Sequence, residues 1–310
     1  MREFEGLVLR STGSWYSVLD DQGDVYQCRL RGQYRLKGLR STNPVAVGDR
    51  VKIKIDEQEN NPVITHIHDR INFIIRKSTK LSKASHIIAA NLDQAVLVAT
   101  IDYPRTSTGF IDRFLTTAEA YHIPAAIVFN KIDLYSEAQL QRLTELISVY
   151  HDIGYPCLKV SALTKRNLDD FVELMHNKTT LLSGHSGVGK SALLNAIDPH
   201  LDIKTGELSN YHNKGKHTTT YAEMHKLNFG GWIVDTPGIK EFGLYDLEKE
   251  TLAQRFPEMR RLMSECKFAN CTHLHEPGCA VKLALEEGKI AQFRYLNYVN
   301  MMNSDFSNDN

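Results

Sequence analysis

The chain has 310 residues, is 42% hydrophobic and 24% charged, and sets 37 lysines and arginines against 37 aspartates and glutamates. That length suits two or three domains with a sizeable core, and zero formal charge excludes a polyanion binder that uses its whole surface. No apolar run approaches a membrane span, and Met1-Arg2-Glu3-Phe4-Glu5 lacks the basic-then-apolar order of a signal peptide, so a soluble, intracellular protein is expected.

Residues 1–70 hold short β-type runs at Gly6–Leu9, Trp15–Leu19, Val25–Cys28 and Val51–Ile55, separated by turn signals such as Asp20-Asp21-Gln22-Gly23-Asp24. Val51, Ile53 and Ile55 alternate with Lys52 and Lys54, the period of a half-buried strand. Several short strands in this length predict a small barrel of the oligonucleotide-binding (OB) type. Between the third and fourth runs lies a stretch with five basic side chains, Arg29, Arg31, Arg35, Lys37 and Arg40, with Tyr34 and no acid. Guanidinium groups pair with phosphates and tyrosine stacks on bases, so these residues are candidate RNA contacts.

In residues 71–245 apolar strands alternate with helical patterns. The strands are Ala95–Ala99, Ala125–Phe129, Leu158–Val160, Thr179–Ser183 and Trp232–Val234; the helices are Phe110–Tyr121, Ser136–Tyr150, Leu168–Met175 and Lys190–Ile197. Near-continuous apolar strands are buried on both faces, which predicts a parallel sheet covered by helices on both sides. Gly184-His185-Ser186-Gly187-Val188-Gly189-Lys190-Ser191 links a strand to a helix with the spacing of a phosphate-binding loop. Its amides converge on phosphate oxygens, Lys190 reaches the β- and γ-phosphates, and the Ser191 hydroxyl is placed to ligate Mg²⁺.

Asn130-Lys131-Ile132-Asp133 directly follows the Ala125–Phe129 strand. The Asp133 carboxylate matches the paired N–H donors of guanine, and adenine lacks that pair, which argues against an ATP-using kinase or ATPase. Asn130 holds the loop and the base edge, the Lys131 stem covers the ring, and Ser161-Ala162 offers backbone N–H groups to guanine O6. Asp235-Thr236-Pro237-Gly238 closes another strand: Asp235 binds a water on Mg²⁺, and the Gly238 N–H reaches the γ-phosphate. One of Thr218, Thr219 and Thr220 is expected to complete the Mg²⁺ shell, with Thr218 slightly favoured. These are the parts of a GTPase in an unusual order, since the guanine-reading loops precede the phosphate loop. The domain therefore reads as circularly permuted.

Residues 246–310 contain Cys266, Cys271, His273 and Cys279, three of the chain's five cysteines, spaced C-x4-C-x-H-x5-C. Three thiolates and an imidazole suit a closed, tetrahedral structural Zn²⁺ site, with His275 as the rival nitrogen ligand. Cys28 and Cys157 read as small buried apolar residues. Cys279–Lys289 and Gln292–Met302 look helical, and Tyr295, Tyr298 and Met302 lie at helical spacing, as packing residues do.

A basic OB-like barrel, a permuted GTPase domain and a Cys-Cys-His-Cys module in that order resemble the RsgA (YjeQ) family of small-ribosomal-subunit biogenesis GTPases, over nearly the whole chain. The resemblance implies a multidomain α/β protein: an OB barrel (1–70), a permuted P-loop domain (71–245) and a helical zinc-binding domain (246–310). It implies a bacterial, cytoplasmic, monomeric GTPase that acts late in 30S maturation, contacts ribosomal RNA, is stimulated by the subunit and helps release assembly factors. An RNA-binding scaffold in which hydrolysis is incidental is the competing reading. Many GTPases place a glutamine just after the D-x-x-G turn; here that position is Ile239, which cannot orient water, so slow intrinsic turnover is expected. His217 is the candidate to supply the missing catalytic group or, alternatively, to order its loop. The phosphate-loop asparagine of potassium-dependent GTPases is replaced here by Gly187.

Overall fold

A computed structural model of the chain describes residues 2–30, 44–55, 61–77, 85–201, 203, 222–235 and 248–304. Near the N-terminus β1 (Arg2–Ser11), β2 (Tyr16–Asp20), β3 (Val25–Leu30), β4 (Arg50–Ile55) and β5 (Pro62–Ile67) form a barrel. β1 pairs antiparallel with both β2 and β4, β2 with β3, and β4 with β5, while β3 and β5 close the ring in parallel. Closure leaves these strands no open edge. The alternation read in the sequence fills the interior: Val8, Tyr16, Val18, Cys28, Val51, Ile53 and Ile64 form one buried cluster.

A hairpin not foreseen in the sequence follows, β6 (Phe73–Lys77) and β7 (Ser85–Ala90). It docks on the barrel where the Ala90 N–H donates to the Val47 carbonyl at 2.8 Å. Beside it the fully buried Asp49 takes two bonds of 2.6 Å from the Arg70 guanidinium and one of 2.8 Å from the Ala46 N–H. Burial pushes the Asp49 carboxyl up and Arg70 opposes that shift.

The central sheet is built from β8 (Gln94–Ala99), β9 (Ala125–Phe129), β10 (Cys157–Lys159), β11 (Thr179–Ser183), β12 (Glu223–Lys226) and β13 (Trp232–Asp235), in the order β10-β9-β8-β11-β13-β12. The five strands expected from the sequence pair in parallel, and β12, which was not expected, adds one antiparallel edge against β13. The cause is local. Gly230 and Gly231 take left-handed φ of 93° and 94°, which folds the chain into a tight hairpin rather than a crossover. One residue pair, Arg10 with Glu223, joins β12 to the barrel's β1.

Helices α1 (Thr108–Ala120) and α2 (Glu137–Ile153) cover one face of the sheet; α3 (Leu168–Met175) and α4 (Lys190–Ile197) cover the other. β8 is buried at every residue, and its side chains divide with period two. Ala95, Leu97 and Ala99 meet Phe114 and Leu115 of α1, while Val96 and Val98 lie in the cluster with Phe171 and Leu193. Ser107 caps α1 through the Phe110 N–H, and a Ser136–Gln139 capping box starts α2.

The C-terminal segment adds α5 (Pro257–Arg260), α6 (Ala280–Glu286) and α7 (Gln292–Asn303), packed around Leu252, Phe256, Met259, Val281, Tyr298 and Met301. It is fastened to the central domain by a buried charge cluster. Arg294 on α7, 1% exposed, donates to Asp112 of α1 at 2.6 Å and to both oxygens of Glu258 at 2.6 and 3.0 Å. Asp112 also accepts from Tyr150 at 2.7 Å and Asn297 at 2.6 Å. Among the described residues no helix is long and apolar enough to cross a membrane.

Candidate nucleotide site and metal centre

β11 runs into the glycine-rich loop, and α4 leaves it. Two glycines are dictated by neighbours. Gly184 has φ +143°, and a Cβ there would overlap the Val98 carbonyl; Gly189 has φ +95°, and a Cβ there would overlap the Asn130 side-chain amide. The loop is thus threaded between the end of β8 and the turn after β9. The Lys190 ammonium donates to the carbonyls of Gly184 at 2.6 Å and His185 at 2.8 Å. Ser191 is buried in the first turn of α4, and Val188 is fully buried. The His185 ring lies on Phe110 with centroids 3.7 Å apart.

The turn after β9 meets this loop. Asn130, 1% exposed, donates through Nδ2 to the Val188 carbonyl at 2.9 Å and accepts at Oδ1 from the Ala162 N–H at 3.2 Å. Lys131 sits in the left-handed region at φ 64°, and its ammonium donates to the Tyr103 carbonyl at 2.6 Å. The exposed Asp133 accepts from the Ser161 hydroxyl at 2.5 Å, and that hydroxyl in turn accepts from the Thr164 N–H at 3.0 Å. Residues 130–133, 161–162 and 184–191 therefore meet at the carboxyl ends of β9, β10 and β11, where open α/β sheets bind ligands. Chemically, the N-terminus of α4 and Lys190 suit phosphate oxygens, and Asp133 suits a base edge with paired N–H donors.

Sequence reasoning missed three supports of this site. The Tyr103 and Phe110 contacts come from the loop and helix after β8, and the Tyr135 hydroxyl, which donates to the Asn130 carbonyl at 3.0 Å, follows the motif by two residues. A backbone carbonyl and two aromatic rings carry no motif, and only the Tyr-Pro step at 103–104 marked a turn.

Asp235 ends β13. His217, Thr218, Thr219, Thr220, Gly238 and Ile239 lie outside the described residues, as do Arg31, Tyr34, Arg35, Lys37 and Arg40 of the basic stretch. Arg29 is described, and its guanidinium lies 4.3 Å from the ring centroid of the exposed Trp15.

In the C-terminal segment the ligand atoms of Cys266, Cys271, His273 and Cys279 all lie within 4.8 Å of one another. Cys271, His273 and Cys279 are buried, and His273 Nδ1 is 3.3 Å from the Cys279 sulfur and 3.7 Å from that of Cys266. The rival His275 is exposed and outside the cluster. Burial, reinforced by the neighbouring sulfurs, pushes the Cys271 thiol up to about 12. Four soft donor atoms gathered this closely fit a divalent metal, and three sulfurs with one nitrogen fit zinc. The loop is braced from α7, where Tyr295 and Tyr298 donate to the carbonyls of His273 and Thr272, each at 2.7 Å.

A five-stranded barrel, a P-loop domain whose base-side loops precede its phosphate loop, and a Cys3His module define a circularly permuted GTPase. The sequence matches the RsgA GTPase family over residues 67–245 and the RsgA N-terminal domain over residues 5–63. The chain belongs to the RsgA GTPase family. It is 55% identical over 298 residues to the small ribosomal subunit biogenesis GTPase RsgA of Bacteroides fragilis, 96% of each chain, and 49% identical over 306 residues to that of Christiangramia forsetii, 98% of this chain and 97% of the other. Among solved structures, YjeQ from Thermotoga maritima superposes with a TM-score of 0.79 at 36% identity, covering 97% of this chain and 98% of that one. YloQ, a circularly permuted GTPase, superposes at 0.76 and 34% identity over 97% and 94%.

Proposed function

We propose that this chain hydrolyses GTP in the late maturation of the small (30S) ribosomal subunit, with turnover stimulated by the subunit. The observation that carries the nucleotide reading is the hydrogen bond from Asn130 to Val188, which ties the base-reading turn to the phosphate loop. In this reading Asp133 selects guanine, with Ser161 holding its carboxylate and Lys131 covering the ring. The amides of 184–191 and Lys190 hold the phosphates. Ser191, Asp235 and one threonine of 218–220 hold Mg²⁺, which neutralises phosphate charge when bound. His217 and the Gly238 N–H act at the γ-phosphate.

Cys266, Cys271, His273 and Cys279 hold one structural Zn²⁺, which braces the C-terminal domain. The barrel, through Arg29 and the basic stretch that follows it, contacts ribosomal RNA. Release of assembly factors, a monomeric state, a cytoplasmic location and domain limits at residues 70 and 245 belong to the same reading, of which the names of the relatives support the small-subunit part. GTP turnover measured with and without purified small subunits tests it. A large stimulation is expected, and equal rates would leave the scaffold reading standing.

A further inference from the structure

We propose that Phe110 is a positioning residue for Lys190, acting through His185, and that the seating of α7 on α1 thereby sets the phosphate loop. Every link is a described contact. Phe110, in the first turn of α1, faces the His185 ring at 3.7 Å between centroids with planes 32° apart, close enough for dispersion and quadrupole attraction. The carbonyl of the same His185 accepts from the Lys190 ammonium at 2.8 Å, and that of the adjacent Gly184 at 2.6 Å. A shift of the loop at 184–185 therefore moves the charge that must meet the phosphates.

Two residues beyond Phe110, Asp112 is held by Arg294 and Asn297 of α7. Asn297 and Asn300 of α7 also line a cavity of about 350 Å³ that Phe110 and His185 share. That cavity gives the imidazole room to turn once the phenyl ring is removed. Nothing in the G-x-x-x-x-G-K-[ST] pattern specifies a side chain at position 185, yet here that side chain joins the loop to α1, the helix on which α7 is seated.

The inference rests on residues 184–191 being the phosphate site, so Lys190→Ala is measured alongside in the full-length, zinc-loaded protein. With a fluorescent GTP analogue, Phe110→Leu is expected to raise the dissociation constant about two- to tenfold, the worth of one aromatic pair. Phe110→Tyr, which keeps the ring, is expected to keep the affinity. In a His185→Ala background Phe110→Leu should have no further effect, because the two share one path. Arg294→Met should weaken binding in the parent and not in that background.

Unchanged affinity in folded Phe110→Leu or in His185→Ala overturns the proposal, as do additive effects of the two. If Lys190→Ala binds GTP like the parent, the phosphate-site reading has failed instead.

Discussion

The side-chain amide of Asn130 donates to the carbonyl of Val188 at 2.9 Å, although 58 residues separate them. The same side chain accepts from Ala162, so one buried amide joins the three stretches assigned to base, ring edge and phosphates. Asn130→Ala leaves a buried carbonyl and an N–H without their partner, at about 1–3 kcal/mol. Guanine-nucleotide affinity is expected to fall roughly ten- to hundredfold, read by titration with a fluorescent GDP analogue.

Asp133→Asn keeps the size of the side chain and replaces one acceptor with a donor. Guanine then loses its match, while xanthine, which carries a carbonyl where guanine has its amino group, gains one. Competition assays should show affinity moving from GTP toward XTP. Retained preference for GTP would place the base elsewhere.

Arg294→Met removes the cation from a cluster in which Asp112 is 0% exposed. Burial works against the charged guanidinium, yet Asp112 and Glu258 outweigh it and hold its pKa above the ordinary value. Breaking such a pair costs about 3–5 kcal/mol, because a buried carboxylate is stranded. A large drop in Tm is expected, and adding Asp112→Asn should recover part of it.

Glu276 organises the metal loop by accepting from the Thr272 hydroxyl at 2.6 Å and from the N–H groups of Thr272, Leu274 and His275. Those bonds, the Thr272 hydroxyl first, hold its pKa down at about 2 against an ordinary 4.5. With the folded value depressed, its contribution is full above about 4.5 and is lost as pH falls toward about 2. Glu276→Ala should speed zinc release to a colorimetric chelator by about tenfold or more at neutral pH.

Cys28 and Cys157 are buried or partly buried, and burial pushes both thiols up to about 12, so neither is reactive near neutrality. Zinc-loaded protein should react slowly with a thiol reagent, and chelation, by loosening the metal loop and exposing its sulfurs, should release three reactive thiols, those of Cys266, Cys271 and Cys279. Three fast thiols already present before chelation would rule out the metal centre.

His217→Ala is expected to lower the subunit-stimulated kcat much more than it lowers GTP affinity. Single-turnover rates beside equilibrium titrations check the split. An unaltered stimulated rate leaves His217 only the ordering of its loop.

The local chemistry was legible in the chain because each motif is short and its residues act together: Gly184–Ser191, Asn130–Asp133, and the Cys-Cys-His-Cys spacing. The strands of the central sheet were legible too, since burial on both faces leaves continuous apolar runs such as β8. The hairpin of β6 and β7 escaped notice because its apolar runs, Phe73–Ile75 and Ile87–Ala90, are too short to tell a strand from a buried helix segment. The turn of β12 against β13 rests on Gly230 and Gly231, and a glycine pair gives no strand direction until the partner is known.

What only the tertiary structure decided is which distant groups meet: Asn130 with Val188, Phe110 with His185, Asp112 with Arg294. Such pairs form because the sheet order and the seating of α7 fix where helices lie. A single chain records the residues of each contact without recording that they touch.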